Sequence, residues 1–295
     1  MKMKFKIKGK KYSLEGLLIL LPAVLLYGLV IVFPVCNTFY TSFFEWNGIK
    51  QVPYEFVGLD NYITFFHDYQ TATAFKNVFM LAAVGCLCTI PIAFFLATVI
   101  NKQFFGLRLF KTFYFIPVVI NRIAISLMFT FILYPKMGPF TIVMEKLGFD
   151  GINVLGNFNT AMIGVCFIYM WCDAGFQMVV FSSGLAGIPD ELYEAAAIDG
   201  VNSRQKLWYI TLPMMKSTFK IVIIFVFTGA FKMFDLVMGL TAGGPGGATE
   251  VPNTLLYNNA FTYNRIGYAD SIAVVIVLIC LTFSFIVNKG FRERD

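Results

Sequence analysis

The sequence predicts an all-α integral membrane protein with six transmembrane helices, on two observations. Of its 295 residues, 58% are hydrophobic and 14% are charged, whereas soluble domains average about half apolar and about a quarter charged. The apolar residues are concentrated in runs of about 20, the length a helix needs to cross a hydrocarbon layer about 30 Å thick. A transmembrane β-barrel would instead show alternating segments of about 10 residues.

Six such runs follow one another along the chain. The first begins directly after the basic stretch MKMKFKIKGKK, and its length and the bulky residues that follow it favour a retained span over a cleaved signal peptide. We therefore divide the chain into a basic cytoplasmic N-terminus, residues 1–13, and a transmembrane domain, residues 14–295. The predicted spans are 14–35, 78–100, 112–134, 161–185, 218–240 and 267–287.

The distribution of basic residues predicts the orientation in the membrane. Most of the 23 Lys and Arg residues lie in the two termini, the second loop and the fourth loop, and few lie in the alternate loops. Because cytoplasmic loops carry an excess of Lys and Arg, both termini are predicted to be cytoplasmic. This bias accounts for most of the net charge of +6, so we expect no nucleic-acid partner. The expected location is the prokaryotic cell membrane, which the chain crosses several times.

The residues that enzymes use for catalysis do not form a recognisable set in this sequence. The six cysteines fall in apolar runs without zinc-site spacing, and the one histidine, His67, lies in an external segment. The glycine-rich stretch TAGGPGGATEVP is not followed by the Gly-Lys-Ser/Thr of a phosphate-binding loop, so it is predicted to be a turn. We therefore expect no catalytic residues, no metal site and no ATP site in this chain.

The fourth loop, 186–217, is predicted to begin with a short helix. Pro189 suits a first helical turn, Asp190 and Glu191 place negative charge at the positive end of the helix dipole, and Gly200 suits the end of the helix. A helix that lies on lipid would carry a bulky apolar face and basic flanks, whereas this one is acidic and rich in alanine. The pattern therefore indicates a helix that another protein can approach closely.

A second short helix is predicted directly after that glycine. Asn202 or Ser203 can serve as its N-cap, and Gln205 stands three residues after Asn202, which is the spacing of a capping box. The helix is predicted to run through RQKLWYITL as far as Pro213. The loop is therefore predicted to be two capped helices on the cytoplasmic side of the membrane.

The segment IPDELYEAAAIDGVNSRQKLWYITLP resembles the EAA loop of the membrane subunits of binding-protein-dependent ABC importers. The segments FVGLDNY, LTAGGP and GYADSIAV are similar to the carbohydrate branch of that family, which includes the maltose and multiple-sugar transporters. The large external domain and extra N-terminal spans of the larger maltose subunit have no counterpart in this sequence. The EAA pattern matches Glu194, Ala195, Ala196, Gly200, Ile210, Leu212 and Pro213.

This resemblance implies the type I ABC importer fold and a set of partners. They are a second permease subunit, which in sugar systems is usually a different chain, two ATP-binding subunits that hold ATP and Mg, and an external solute-binding protein. The substrate would be a carbohydrate. The EAA helix would sit in a cleft of the ATPase, with Glu194 making a charged contact and Gly200 allowing a sharp turn. The residues expected to couple to the ATPase are Leu192, Tyr193, Glu194, Ala195, Ala196, Asp199 and Gly200.

Polar residues inside the predicted spans indicate a pathway, because ionisable groups there are costly and usually face a cavity or a partner. Lys232 and Asp235, three residues apart on one predicted face of the fifth span, either neutralise each other or line a polar site. Asn121 and Arg122 lie in the third predicted span. A sugar site needs hydrogen-bonding groups and aromatic rings. The residues expected to line the substrate path, from their chemistry or from the family's landmarks, are Trp171, Cys172, Asp173, Phe176, Gln177, Lys232, Met233 and Asp235.

An alternative function stays open at this point. A secondary transporter or channel for a small polar solute would also be built from apolar helices, but it would need no docking loop. The sequence shows none of the paired internal repeats that many such transporters carry. Transport that depends on an added ATPase would exclude this alternative.

Overall fold

The computed structural model describes residues 4–7, 10–49, 51, 53–101 and 105–291, with side chains from Leu18 onward. Helices dominate, as predicted, although two small antiparallel sheets are also present, one of them within the predicted basic N-terminus. Five of the basic residues that support the predicted orientation lie outside the described residues: Lys2, Lys8, Lys102, Arg292 and Arg294.

Four short strands and sixteen α-helices make up the described part of the chain. The strands are β1 (Lys4–Ile7), β2 (Lys10–Ser13), β3 (Phe44–Glu45) and β4 (Glu55–Phe56), paired β1 with β2 and β3 with β4. The helices are α1 (Leu14–Tyr27), α2 (Phe33–Thr41), α3 (Asp60–His67), α4 (Tyr69–Val84), α5 (Ile90–Ile100), α6 (Leu107–Val119), α7 (Arg122–Ile132), α8 (Pro139–Lys146), α9 (Ala161–Ala186), α10 (Asp190–Ile198), α11 (Ser203–Lys206), α12 (Leu212–Met214), α13 (Lys216–Phe231), α14 (Asp235–Leu240), α15 (Pro252–Tyr257) and α16 (Ile266–Gly290). Short π-helical segments lie at Gly28–Val32, Gly85–Thr89, Leu207–Thr211 and Asn258–Thr262.

Among the described residues, four continuous helical stretches are long and apolar enough to cross a membrane. They contain the second, fourth and sixth of the predicted spans and most of the first. Two bent helix pairs raise the possible number of spans to six if each pair counts as one: α6 with α7, bent by 102°, and Ser203–Met214 with α13, bent by 69°. The four continuous stretches are Leu18–Thr41, Tyr69–Ile100, Ala161–Ala186 and Ile266–Gly290.

The third predicted span, 112–134, is not a continuous helix. Pro117 lies inside α6 and cannot donate a backbone hydrogen bond, and Ile120 at the end of α6 has an extended backbone (ψ 139°). Asn121 then acts as the N-cap of α7, because its side-chain oxygen accepts a hydrogen bond of 2.8 Å from the Ile123 backbone N–H. The chain therefore turns sharply inside an apolar run whose composition alone predicts one continuous span.

The fifth predicted span, 218–240, is also interrupted. Helix α13 ends at Phe231, and α14 begins only at Asp235 after a break whose last residue, Phe234, has non-helical dihedrals (φ −137°, ψ −62°). The side-chain amide of Asn253 donates a hydrogen bond of 3.2 Å to the Phe231 carbonyl, one of the carbonyls that a helix end leaves without an intrahelical donor. A contact 22 residues away in sequence therefore helps to define where this helix stops.

The chain divides into two compact units. The first comprises residues up to Phe65 together with Asn259–Val274. Within it, the hydroxyl of Thr41 on α2 donates a hydrogen bond to the carboxylate of Asp270 on α16. The backbone N–H groups of Ile266 and Gly267 both donate to the Trp46 carbonyl, at 2.9 and 3.3 Å.

The second unit, Phe66–Asn258 with Val275–Asp295, holds the main core. Helix α9 is its most buried long helix and packs against α5, α6 and α13. Small residues allow close helix approach in membranes. At Gly175 of α9, an added Cβ would collide with the Tyr114 carbonyl oxygen of α6. The core between α5, α9 and α13 consists of buried apolar residues that include Ala93, Ala97, Met178, Phe181, Met215 and Val222.

Candidate functional site

An ion pair joins α7 and α9 in the second unit. The guanidinium of Arg122 donates from Nη2 to Oδ1 of Asp173, with the two side chains 30% and 17% exposed. Arg122 is the first residue of α7, and the bend after α6 brings it to this position. Because a buried charge is costly unless it is paired, this pairing explains how both ionised groups are tolerated inside an apolar bundle.

All five residues predicted on the fourth span lie on α9, as expected. Cys172 is fully buried, and Trp171 is half-buried with its ring edge-on to Phe129 of α7, at 5.5 Å between centroids. Phe176 is 40% exposed and lies 6.1 Å, centroid to centroid, from Phe225 of α13. The fourth-span residues therefore have mixed surroundings, with aromatic rings on both neighbouring helices.

Gln177 lies one helical turn after Asp173 and is only 4% exposed. Its side-chain oxygen Oε1 is buried and has no hydrogen-bond partner. The Nη1 atom of Arg122 is likewise buried without a partner. Buried polar groups in folded proteins are nearly always hydrogen-bonded, so these two atoms need an explanation.

The fifth-span residues are arranged differently from the prediction. Lys232 caps the end of α13 and Asp235 begins α14, so they do not share one helical face, and that prediction was wrong. Both side chains are exposed, and within the described part of the chain no ion pair joins them. Of the two alternatives left open for Lys232 and Asp235, mutual neutralisation is therefore contradicted. Met233, between them, is 8% exposed.

The partner that Asp173 uses was not assigned from the sequence. The sequence puts Arg122 in the third predicted span and gives it no partner there. The only local signal is that Asn121 is a preferred N-cap residue and stands four residues after Pro117, which together indicate a helix restart. That signal predicts the position of Arg122 at a helix start, but it does not predict which residue Arg122 contacts.

The first helix of the 186–217 loop ends as the sequence predicts. Gly200 has a left-handed backbone (φ +73°), the Val201 N–H donates to the Ala196 carbonyl at 2.9 Å, and the Gly200 N–H donates to the Ala197 carbonyl at 3.2 Å. These are the two hydrogen bonds of a Schellman motif, which satisfies the last carbonyls of a helix. The end of α10 is therefore fixed by its own backbone.

The second helix of this loop starts at the predicted capping box. The side chain of Asn202 accepts from the Gln205 N–H, and the side chain of Gln205 accepts from the Asn202 N–H, both at 2.9 Å. The helix continues through a π-helical segment to Met214, one residue beyond Pro213. The hydroxyl of Tyr193 on α10 lies 3.0 Å from that of Thr211, which ties the two helices together.

The exposed surface of the loop differs in part from the predicted coupling set. Ala196 is 6% exposed and Tyr193 is half-buried, so both face the protein's own interior more than a partner. The others of that set are exposed: Leu192, Glu194, Ala195, Asp199 and Gly200. Sequence reasoning missed three large exposed side chains on the same loop, which are Ile198 at 87%, Trp208 at 61% and Tyr209 at 78% exposed.

Long apolar helices indicate a multi-pass membrane protein, and comparison with known proteins identifies its family. Residues 89–294 match the family described as binding-protein-dependent transport system inner membrane component. The chain belongs to this family, whose members are membrane transport subunits of the ABC type.

Two relatives and one solved structure are similar over nearly the whole chain. The probable ABC transporter permease protein YurN of Bacillus subtilis is 35% identical over 279 residues, which cover 93% of this chain and 95% of that protein. The sulfoquinovosyl glycerol transport system permease protein SmoG of Agrobacterium fabrum is 30% identical over 286 residues, covering 96% and 92%. A bacterial ABC transporter involved in the import of the acidic polysaccharide alginate has the same fold, with a TM-score of 0.82, 22% identity and 93% coverage of both chains.

Proposed function

We propose that this chain is the permease subunit of an ABC importer and forms the translocation path for a sugar or oligosaccharide. Three features support the proposal: family membership, the carbohydrates named for its relatives, and the geometry of the 186–217 loop. ATP hydrolysis takes place on separate subunits, which bind ATP and Mg, and the loop transmits their closure to this chain.

The single observation that carries the proposal is the fixed geometry of that loop. Helix α10 is stopped by the hydrogen bonds around Gly200, and the following helix is started by the capping box of Asn202 and Gln205. A coupling element has to transmit a rigid-body motion, so its helices must not fray at the ends. The exposed Glu194 and Ile198 then give a partner one charged and one apolar contact on a stiff helix.

The proposed topology has six spans with both termini in the cytoplasm. In this topology α6 with α7 forms the third span and α13 with α14 forms the fifth, beside the four continuous stretches, and the basic residues assign the 186–217 loop to the cytoplasmic side. In this arrangement a second, different permease packs beside this one, two ATP-binding subunits lie beneath, and a solute-binding protein delivers the sugar from outside.

The proposed path runs beside α9. Asp173 and Gln177 offer hydrogen-bonding groups, and Trp171 and Phe176 offer aromatic surface, which is the combination that recognises sugars. Lys232, Met233 and Asp235 lie at the break between α13 and α14, and unwound backbone inside a membrane is tolerated where it lines a cavity. Cys172 is fully buried and contributes packing to this path.

Reconstitution of the complete importer in proteoliposomes tests the proposal. We expect Glu194→Lys to lower both ATP-dependent sugar uptake and ATP hydrolysis stimulated by the binding protein at least tenfold, with normal insertion in the membrane. We expect Gly200→Asp to act in the same way, because a side chain at φ +73° strains the turn. The matched control is Lys289→Glu, a charge reversal of another exposed residue proposed to lie on the same side of the membrane.

The same reconstituted importer tests the alternative function, a secondary transporter or channel. Uptake driven by an ion gradient without the ATP-binding subunits would support a secondary transporter and contradict the proposal. If ATP hydrolysis stimulated by the binding protein were unchanged in Glu194→Lys, the loop would not couple this chain to the ATP-binding subunits.

A further inference from the structure

A groove between α5, α6 and α9 is open to the surface of the second unit. Its volume is about 530 Å³, within the range of about 300–1,000 Å³ that ligand pockets occupy. Phe115 of α6 and Met178 and Val179 of α9 supply apolar walls, and Phe115 and Val179 are still 37% and 44% exposed. The described chain therefore leaves an apolar groove uncovered.

One end of this groove, which we call its mouth, carries a cation and a hydroxyl. Lys111 of α6 and Ser183 of α9 both line the groove, and both are exposed. Helical side chains lean towards the N-terminus of their helix, so Lys111 leans towards the start of α6, whereas Phe115 lies about 6 Å further along the helix axis. Ser183 lies one turn after Val179, towards the end of α9. The groove thus has an apolar body and a polar, basic mouth.

The mouth lies on the cytoplasmic side in the proposed topology. Helix α6 begins at Leu107, directly after the predicted second loop, and α9 ends at Ala186, where the 186–217 loop begins. The basic residues assign both loops to the cytoplasm. Lysine side chains near the ends of membrane helices lay their apolar stems along the protein and extend the ammonium to the headgroup layer. A lipid of the cytoplasmic leaflet can therefore enter with an acyl chain in the body of the groove and its headgroup at the mouth.

The charge of the groove selects the kind of headgroup. None of the described residues that line it is acidic, and within the described part of the chain no carboxylate pairs with Lys111. A phosphate accepts strong hydrogen bonds from an ammonium and from a hydroxyl. A zwitterionic headgroup also carries a cation of its own, which would lie beside Lys111 and find no anion. Charge complementarity therefore favours a lipid with net negative charge.

We propose that this groove binds an anionic phospholipid of the cytoplasmic leaflet, with an acyl chain along Phe115, Met178 and Val179 and its phosphate at the mouth, beside Lys111. The proposal goes beyond the transport function, because it assigns a lipid to this chain in addition to a substrate. Ala186 also lines the groove, so the bound lipid reaches the residue at which the 186–217 loop begins.

Photocrosslinking tests the proposal in the complete importer, reconstituted in phosphatidylcholine vesicles. The probe is phosphatidylglycerol with a diazirine in one acyl chain, and the matched probe is phosphatidylcholine with the same chains. We expect the anionic probe to label the peptides that contain Phe115 and Val179 about fivefold more than the zwitterionic probe does. Unlabelled phosphatidylglycerol should compete, whereas glycerol phosphate, which has the phosphate without acyl chains, should not.

Four variants separate the two halves of the groove. Lys111→Gln removes the charge at the mouth and should abolish the preference for the anionic probe. Lys289→Gln, the same change at an exposed residue outside the groove, should preserve that preference. Val179→Trp fills the body of the groove and should lower labelling by both probes, whereas Ile163→Trp, at an exposed position of the same helix, should not.

Each other outcome overturns the proposal. Equal labelling by the two probes, or labelling that stays unchanged in Lys111→Gln and Val179→Trp, would show only unspecific boundary lipid. Competition by glycerol phosphate as strong as that by phosphatidylglycerol would assign the mouth to a soluble phosphate compound. Absence of lipid adducts in the groove would contradict the proposal as well, and a crosslink from Ser183→Cys to the second permease subunit would then identify protein as the occupant. Labelling requires no transport, so failure of sugar uptake in the same vesicles would bear on the proposed function alone.

Discussion

Arg122, at the start of α7, donates a hydrogen bond to the carboxylate of Asp173, which lies 51 residues further along on α9. The bend of 102° between α6 and α7 places a helix start, and not a helix middle, opposite Asp173. The ion pair and the broken span are therefore two parts of one arrangement, in which the interruption of a membrane helix brings a cation to a buried anion.

Removing one member of this ion pair should destabilise the protein more than removing both members. Arg122→Ala leaves Asp173 charged and unpaired, so we expect it to lower the free energy of unfolding by about 2 kcal/mol, less than for a fully buried pair because both side chains are partly exposed. The double variant Arg122→Ala with Asp173→Ala should recover at least half of that loss. Thermal unfolding of the purified protein in detergent measures both.

The control for these two variants is Arg108→Ala, because Arg108 is an exposed arginine on α6. It should change the unfolding free energy by less than about 0.5 kcal/mol. Equal losses in the single and double variants would contradict the view that the pair stabilises mainly by neutralising two buried charges.

Two helical glycines should respond to alanine in opposite ways. At Gly175 an added Cβ would collide with the Tyr114 carbonyl oxygen, so Gly175→Ala should force α6 and α9 apart and destabilise the protein by about 2 kcal/mol. At Gly229 of α13 no neighbouring atom lies within 4 Å of the new Cβ. Gly229→Ala should therefore stabilise the helix, by up to about 1 kcal/mol, because alanine loses less conformational freedom.

The same thermal unfolding measurement compares the two variants directly. A loss of stability in Gly229→Ala as large as that in Gly175→Ala would show that the collision at Tyr114 is not what sets the requirement for glycine.

The parts of this structure that local sequence determines were predictable. The capping box of Asn202 and Gln205 and the helix end at Gly200 follow from hydrogen bonds between residues three to five positions apart, which the sequence contains in full. The long spans follow from composition in the same way. Helix α9 is one residue longer than the predicted 161–185.

The parts that depend on distant contacts were not predictable. Lys232 and Asp235 have helical spacing, but the helix ends before them, and its last carbonyl, that of Phe231, accepts a hydrogen bond from Asn253 in another part of the chain. The pairing of Arg122 with Asp173 requires the bend after α6, and a run of apolar residues does not encode the direction of a bend. The exposure of Ile198 likewise depends on which face of α10 packs against the protein.

Asn77 of α4 should hold the glycine-rich turn, residues 241–251, in place. Its side-chain nitrogen donates to the backbone carbonyls of Ala248 and Glu250, at 3.0 and 2.8 Å, and the residue is 6% exposed. Asn77→Leu leaves these two carbonyls without that donor, so we expect a loss of about 2–3 kcal/mol in unfolding free energy.

Limited proteolysis of residues 241–251 gives a local readout of the same change. Cleavage there should become at least tenfold faster in Asn77→Leu, because the turn loses its attachment to α4. Thr73→Val, one helical turn earlier on the same helix, removes a hydroxyl that bonds only to its own helix, and it should leave the cleavage rate unchanged. Similar rates in all three proteins would exclude this role for Asn77.

Glu250, at the end of that turn, should make stability depend on pH. Burial raises the pKa of its carboxyl above the ordinary value, and a hydrogen bond from Thr254 lowers it by less. Because the folded protein then binds this proton more tightly than the unfolded chain, the contribution of Glu250 to stability is fully present below the ordinary pKa and is lost as the pH rises through the raised pKa.

The variant Glu250→Gln stays neutral at every pH. It should be more stable than the wild-type protein at pH 7.5, by about 1 kcal/mol, because the charged form of Glu250 leaves its buried Oε1 without a partner. The difference between the two melting temperatures should shrink as the pH falls towards 5, whereas Glu55→Gln, at an exposed position, should show no such trend. A difference that grows on acidification would mean that the folded state prefers the charged carboxylate and would overturn the prediction.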